Sequence, residues 1–376
     1  MTKRLFVIFH GRFPSERAAA LYAAEHAKSL AAYMPVVLVV PRRLGRGSAS
    51  ARDYYCLPDD VRVVYLPTLD LFYTPLRRIA FPVSYFIFSC AALLYLFFHL
   101  RSADAVDTNE ALPALLATLA SRRVVYEVHD FPERFLWLYR ILLRRAWHVL
   151  ATNTWKQNEL AARFKIPAGK VLMERNGVNL EEFAPGSRLE ARGALGIVSE
   201  ARVAVYTGHL YGWKGTDTLA AAARLMPDVD VYVVGGTSAD VAEFKKQYGG
   251  VGNLHILGHR PHQEMPLWLA AADVLVLPNT AKEEISARYT SPMKLFEYMA
   301  SGRPIVASRI PSITEVLPEE GSFLVPPDEP DAMAKAIQGA CGNLVEAERR
   351  ASRARVAVLE YSWDKRAERI FKALSQ

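Results

Sequence analysis

A chain of 376 residues, 51% of them apolar, exceeds one ordinary hydrophobic core and is expected to divide into two domains. Its three cysteines, Cys56, Cys90 and Cys341, are odd in number and widely spaced. That spacing argues against a disulfide scaffold or a cysteine metal site and fits a reducing compartment. The formal charge of +7 comes without an arginine-rich tail or a nucleic-acid motif, so no nucleic-acid partner is expected, while acidic lipids and phosphorylated substrates remain compatible.

Residues 1–4 run directly into a strand pattern at 5–9 and a charged helical pattern at 15–32, so no signal peptide is expected and the chain is placed in the cytosol. Strands follow at 36–40, 61–66, 105–107, 124–127, 148–152 and 171–174, with helices at 112–120, 135–146 and 155–164. This alternation predicts a mostly parallel sheet covered on both sides. Residues 79–100 hold no Asp, Glu, Lys or Arg, and about 20 apolar residues suffice to cross a bilayer. Pro82, Ser84, Ser89 and His99, and the return of strand and helix patterns directly afterwards, favour a core helix or one lying in a membrane surface over a true span or re-entrant hairpin.

Asn176-Gly177 marks a turn and 181–190 is polar, so the linker is expected at 178–200. A second alternating series then has strands at 202–207, 229–235, 254–257, 274–277, 304–307 and 322–325. Its helices are expected at 215–226, 262–271, 292–300, 312–316 and 329–340. A charged stretch at 346–355 precedes a last helix at 363–376, which can pack on either domain, including back on the first. The fold class is α/β, two doubly wound, Rossmann-like domains (1–180 and 200–355) facing a central cleft, with ligands expected beyond the carboxyl ends of the strands.

The stretch 289–302 is the most informative. Ser291 can cap a helix, Pro292 suits its first position and Gly302 supplies a stop. Free N–H groups at such a start, with Lys294 one turn in, offer a seat for phosphate, and Glu297 can face the same way. Near the amino terminus, Gly11 follows the first strand alone. Arg12-Phe13-Pro14 after it is no dinucleotide fingerprint, which weakens a nicotinamide or flavin reading.

Five segments in order, Tyr126-Glu-Val-His-Asp-Phe-Pro-Glu133, Asn176-Gly-Val-Asn179, Gly208-His-Leu-Tyr-Gly-Trp-Lys-Gly215, 291–302 and Gly321-Ser-Phe-Leu-Val-Pro-Pro-Asp328, resemble the signature of retaining GT-B glycosyltransferases of the group 1 or family 4 type. The resemblance covers nearly the whole chain. It implies a UDP- or GDP-sugar donor held mainly by the second domain, an acceptor held mainly by the first, and no metal or permanently bound cofactor. Lys214 matches the lysine facing the donor diphosphate, Glu297 the carboxylate on the ribose hydroxyls, and His129 the histidine beside the transferred sugar; these are the implied catalytic residues. The implied donor set is Gly11, Gly208, His209, Lys214, Tyr289, Ser291, Lys294, Leu295 and Glu297, with Arg12 and Asp130 on the acceptor side. Taken singly, Lys214 reads more readily as a surface lysine and His129 as a structural histidine, and Glu297 also reads as a solvated helix residue. Glu127 reads as a backbone cap or an arginine partner.

Two positions depart from the family pattern. Tyr289 stands where a glutamate is usual, and a phenol of pKa about 10 cannot supply that charge, which moves the sugar contact toward Glu283 or Glu284. His209 stands where an arginine is usual, leaving more of the charge to Lys214 and Lys294, with Arg288 as a further contributor. Asp228-Val229-Asp230 is superficially similar to the metal-binding acid pair of another glycosyltransferase fold, but its place at a strand entry favours solvated charges. Residues 131–150 interleave Arg134, Arg140, Arg144 and Arg145 with Phe135, Trp137, Leu138 and Ile141, which suits a helix at an anionic membrane surface as well as a core helix with a wet arginine face. Arg77 and Arg78 add to the membrane reading.

The expected activity is therefore transfer of a sugar to a hydroxyl of a lipid-linked glycan or surface-polysaccharide intermediate, by a chain peripheral on the cytoplasmic face of the membrane. The alternatives are a non-catalytic sugar-nucleotide-binding or scaffolding protein and a sugar-nucleotide epimerase.

Overall fold

The computed structural model describes residues 3–43, 50–71 and 77–375, with the side chains of Arg77 and Ala168 outside that set. They form two compact units, Met1–Arg175 with Trp363–Gln376, and Asn176–Ser362. In the first, β1 (Leu5–Ile8), β2 (Val36–Arg42), β3 (Val61–Pro67), β4 (Ala105–Thr108), β5 (Val124–Val128), β6 (His148–Ala151) and β7 (Val171–Met173) make one parallel sheet in the order β3-β2-β1-β4-β5-β6-β7. Leu5 stands opposite Val36 on one side and Ala105 on the other. Helices α1 (Ala18–Ala31), α2 (Ala51–Tyr55), α3 (Arg77–His99), α4 (Ala111–Ala120), α5 (Leu136–Arg145) and α6 (Thr154–Phe164) connect and cover it. The central strands are buried along their length; β1 accordingly reads as an unbroken apolar run, while β4 and β5 carry the buried Asp107 and Glu127.

The second unit repeats the plan with β8 (Val203–Thr207), β9 (Asp230–Val234), β10 (Leu254–Gly258), β11 (Val274–Leu277), β12 (Ile305–Ser308) and β13 (Phe323–Val325), parallel in the order β10-β9-β8-β11-β12-β13. Around it lie α7 (Arg188–Leu195), α8 (Thr216–Ala223), α9 (Ser238–Tyr248), α10 (Met265–Ala271), α11 (Met293–Ser301), α12 (Pro311–Thr314), α13 (Pro330–Gly342) and α14 (Leu344–Val358). Where a linker was expected, α7 folds onto this unit. Ser187 caps it, Gly196 ends it in the left-handed region, and its buried Arg192 donates to the Ala271 and Ala201 carbonyls and to Asp273. Likewise the charged stretch 346–355 is helical, because Ala347, Ala351, Ala354 and Val358 give it a narrow buried stripe.

The chain ends with α15 (Trp363–Ser375), which belongs to the first unit. Ala367, Ile370 and Leu374 join the core formed by β1, β2 and the alanine-rich face of α1. Arg366, 1% exposed, fixes the helix. Its guanidinium donates to Glu127 Oε1 and the Tyr22 hydroxyl, both at 2.7 Å, and to the Arg175 carbonyl at 3.0 Å, and it lies 2.7 Å from His26 Nδ1. Burial alone would raise the Glu127 carboxyl, but Arg366, with His129 next in weight, holds it well below the usual carboxylate range. Glu127 is thus an arginine partner and not a backbone cap.

Helix α3 answers the question posed by residues 79–100. Ala80, Ser84, Phe88, Ala92 and Leu96, four apart, are buried, and the helix packs on α4 and β3. Ser84 ties it to the sheet: its hydroxyl accepts from Arg43 and lies 3.1 Å from the Nε2 of buried His10. The opposite face exposes Ile79, Phe86, Leu94, Phe97 and Phe98. By length and composition this helix passes for a membrane span, yet one face is committed to the unit's own core.

Removing the Arg366 guanidinium leaves a buried carboxylate without its partner. Arg366→Ala is expected to cost about 3–5 kcal/mol of unfolding free energy in urea titrations, with part recovered in the Arg366→Ala, Glu127→Gln double variant. A loss below about 1 kcal/mol, the range of exposed ion pairs, would contradict this role.

Candidate active site

In the second unit the chemistry gathers where β8 ends. Beyond Thr207, Gly208 adopts φ +128° and the chain turns through a short 3-10 segment, Gly212–Lys214, into α8. Gly235, after β9, also has φ +128°, and a Cβ there would stand 2.3 Å from the Gly208 carbonyl oxygen. Only glycine permits this backbone approach, which joins the loops after two neighbouring strands. Gly235 escaped the sequence reading; the signal was the Gly235-Gly236 pair closing an apolar strand.

Lys294 comes up from α11 beneath these loops. It is buried, donates from Nζ to the Thr207 carbonyl at 2.8 Å, and lies 3.6 Å from the centre of the Tyr206 ring. Tyr206 in turn donates to the His209 carbonyl, and the Tyr298 hydroxyl accepts from Thr207 N–H. Lys214, half-buried, rests its ammonium 3.7 Å from the Trp213 ring centre. Burial pushes Lys214 down to about 7. Burial, and then the charge of Lys214, pushes Lys294 well below an ordinary lysine. His209, stacked on Tyr211, has its proton affinity lowered by burial and then by Lys214. Among the described residues no carboxylate lies within ion-pair distance of either lysine. Two lysines and an imidazole therefore crowd one strand end without an ion-paired carboxylate among the described residues, Glu297 acting on Lys294 only from beyond ion-pair distance.

Glu297, one turn beyond Lys294 on α11, is largely buried, with Oε1 3.5 Å from His262 Nε2. The other nitrogen of His262 lies 3.6 Å from Glu182, so this histidine, not singled out from sequence, orients the carboxylate. The start of α11 corrects two expectations. The helix begins at Met293 with Pro292 as its capping residue and no side-chain cap, so Ser291 does not cap; its carbonyl instead accepts from the Asn176 amide at 2.6 Å. Leu295 is fully buried in the core and its N–H is spent on the Pro292 carbonyl, which removes it from a ligand-contacting role. Tyr289 closes a single π-helical turn, Ile285–Tyr289, where Arg288 meets Glu284 at 3.8 Å; Glu283 and Glu284 are exposed.

In the first unit His129 follows β5, 3.1 Å from Glu127 Oε1 through Nε2 and 3.5 Å from the Asn109 amide through Nδ1. Its ring meets Tyr22 edge-on and its carbonyl accepts from Lys156. The buried Arg366 thus reaches His129 through one carboxylate. Asp130 beside it is exposed. Gly11 is required by packing, since a Cβ would fall 2.1 Å from the Phe9 ring, and Arg12 reaches Asp70 at 3.6 Å. His26, Asp107 and Glu127 bring their ligand atoms within 4.8 Å of one another, but the Arg366 guanidinium and Tyr22 stand where a metal would. Asp228 and Asp230, half-exposed, pair with Arg202 and His255 as solvated charges.

A family model of "Glycosyl transferases group 1" matches residues 201–343, and one of "Glycosyltransferase Family 4" matches residues 19–182. Among curated proteins, the D-inositol 3-phosphate glycosyltransferase of Mycolicibacterium gilvum is 28% identical over 177 residues, 45% of this chain and 38% of the relative. That of Catenulispora acidiphila is 27% identical over 242 residues, 59% and 55% of the two chains. The match thus spans about half or less of these relatives. Among solved structures, Anabaena HepE in complex with UDP and glucose is similar with a TM-score of 0.75 at 20% identity over 100% of both chains. Sucrose-phosphate synthase from Thermosynechococcus elongatus gives 0.80 at 20% identity, over 100% of this chain and 98% of that one; such likeness is one of fold. With one family model on each unit and this shared fold, the chain belongs to the group 1 and family 4 glycosyltransferases of GT-B fold.

Proposed function

We propose that the chain transfers a sugar from a UDP- or GDP-sugar to a hydroxyl of a lipid-linked glycan or surface-polysaccharide intermediate, with the anomeric configuration retained. The observation that carries this reading is the pair Lys214 and Lys294 near the end of β8, neither of them in an ion pair among the described residues. Burial lowers the proton affinity of both and the charge of Lys214 lowers that of Lys294 further, and a nucleotide diphosphate supplies two negative phosphates at that point. The complex of Anabaena HepE with UDP and glucose supports a uridine donor.

In this reading Glu297, oriented by His262, accepts from the ribose hydroxyls, and the ammonium of Lys214 meets charge developing on the leaving diphosphate, where stabilisation contributes most to rate. The bond from the anomeric carbon to the diphosphate breaks as one to the acceptor oxygen forms on the same face. The acceptor proton passes to the departing phosphate oxygen. His129, its Nε2 turned to Glu127, serves the sugar and acceptor from the first unit, and Asp130 orients the acceptor. The apolar exposed face of α3 and the arginines of α5 are assigned to peripheral binding on the anionic cytoplasmic membrane face, which predicts salt-sensitive sedimentation with phosphatidylglycerol vesicles.

Thermal shift with UDP, GDP, ADP and their sugars, followed by incubation with membrane lipid extract, tests the reading. Free nucleotide together with an α-linked product from an α-linked donor supports it. Sugar isomerisation, or binding without product, overturns it in favour of an epimerase or a scaffold. Lys214→Ala is expected to lower donor kcat/KM by about 10²-fold or more. Because Lys214 is charged below about 7 in the free protein, donor kcat/KM should hold at lower pH and fall above it, and Lys214→Arg, charged throughout, should move that fall to higher pH. A profile unchanged by this substitution would remove Lys214 from the diphosphate.

A further inference from the structure

Helix α6 turns a buried stripe inward at every fourth residue, Lys156, Leu160 and Phe164. The first of these is a lysine only 2% exposed. An apolar side chain of similar volume would complete the stripe without burying a charge, so packing does not account for the ammonium.

Its contacts do. Lys156 Nζ donates to the Val128 carbonyl at 3.2 Å, to the His129 carbonyl, and to Thr152 Oγ1 at 2.9 Å, and three oxygens match the three N–H groups of an ammonium. The ladder between β5 and β6 ends at Val128 and Ala151, and the chain bends at His129 and Asp130. Lys156 takes over where the ladder stops, spanning the last carbonyl of the strand and the first of the bend. The lysine is itself fixed at its base, because Asn153 caps α6 by accepting from the Lys156 N–H at 2.8 Å. Just past the bend, Phe131 packs edge-on against Trp155 of the same helix, with Arg163 over its ring. The segment is therefore fastened to α6 on both sides of Asp130.

We propose that Lys156 is a positioning residue for His129. Glu127 and Tyr22 aim the imidazole, and Lys156 sets the main chain from which the imidazole projects. Three elements, α1, β5 and α6, converge on one side chain. Such placement matters to a reacting group, since a displacement of about 1 Å can cost roughly 10²-fold in rate. The proposal rests on the assignment of His129 to the sugar and acceptor given above.

The test compares the parent chain, Lys156→Met, His129→Ala and the double variant, using UDP-glucose or GDP-mannose, whichever is turned over, with membrane lipid extract as acceptor. Lys156→Met is expected to lower kcat about tenfold or more while donor KM stays within about twofold. In the His129→Ala background it should add less than about twofold, because residues acting as a unit are not additive. A second readout needs no turnover. With 9 histidines in the chain, the ring-nitrogen resonances of His129 can be assigned by their loss in His129→Ala. They should shift or broaden in Lys156→Met, while those of His255 in the second unit stay. Lys156→Gln, which keeps an amide donor, serves where Lys156→Met fails to melt cooperatively. A folded Lys156 variant with parental kcat, losses that multiply in the double variant, or unmoved His129 resonances overturn the proposal. Parental turnover in His129→Ala overturns the reading of His129 instead, and the resonances alone then decide whether Lys156 holds it.

Discussion

Both sheets are covered on their two faces, and that constraint governs where this chain can place polar chemistry. Inside a strand such as Val203–Thr207 or Val274–Leu277 every position is buried, and an unpaired charge there would be expensive. The loops at the carboxyl ends are the outlet. His10, Glu127 and His129 stand at the ends of β1 and β5, and Lys214, Lys294 and Glu297 gather about the end of β8 and the start of α11. The glycines follow the same logic: Gly208 and Gly235 let two such loops touch through backbone.

The two units handle buried charge in opposite ways. In the first, Glu127 is answered fully: Arg366 comes from the far end of the sequence, Tyr22 and His129 supply further contacts, and His26 with Asp107 at 2.9 Å completes a closed network. Such a network fixes α15 and the orientation of His129 together. In the second, Lys214 and Lys294 make no ion pair with a carboxylate among the described residues; burial lowers the proton affinity of both, and the charge of Lys214 lowers that of Lys294 further against the opposing pull of Glu297. Structure alone gives no reason to keep two cations there, since an apolar pair of similar volume would be cheaper. A ligand carrying adjacent phosphates does give one.

Much of this was legible in the sequence. All thirteen strands of the described residues follow from short apolar runs, and the order of motifs at 126–133, 208–215 and 291–302 pointed to the residues that the fold brings to strand ends. What escaped had weak signals. Helix α9 was missed although Thr237 and Asp240 form a capping box, because its exposed charges mask any apolar period. Helix α14 buries only Ala347, Ala351, Ala354 and Val358 among arginines and glutamates, a stripe too narrow and too weakly apolar to stand out in the sequence. The caps at α11 differ by one residue because Pro292 takes the flanking position, and Leu295 points into the core because the helix face next to Lys294 is the one that packs. Arg366 could not be recognised: a partner for Glu127 lying 239 positions away leaves no local trace.

The claim on which this account turns is that Lys214, partly unprotonated, waits beside Lys294 for a diphosphate. Titrating the protein with UDP-glucose and with GDP-mannose near pH 8 in buffers of different ionisation enthalpy measures it directly, because neither sugar nucleotide itself titrates there. Whichever donor binds should do so with net uptake of protons, and Lys214→Met should reduce both that uptake and the affinity. Binding with no proton uptake, or uptake unchanged in Lys214→Met, would contradict it.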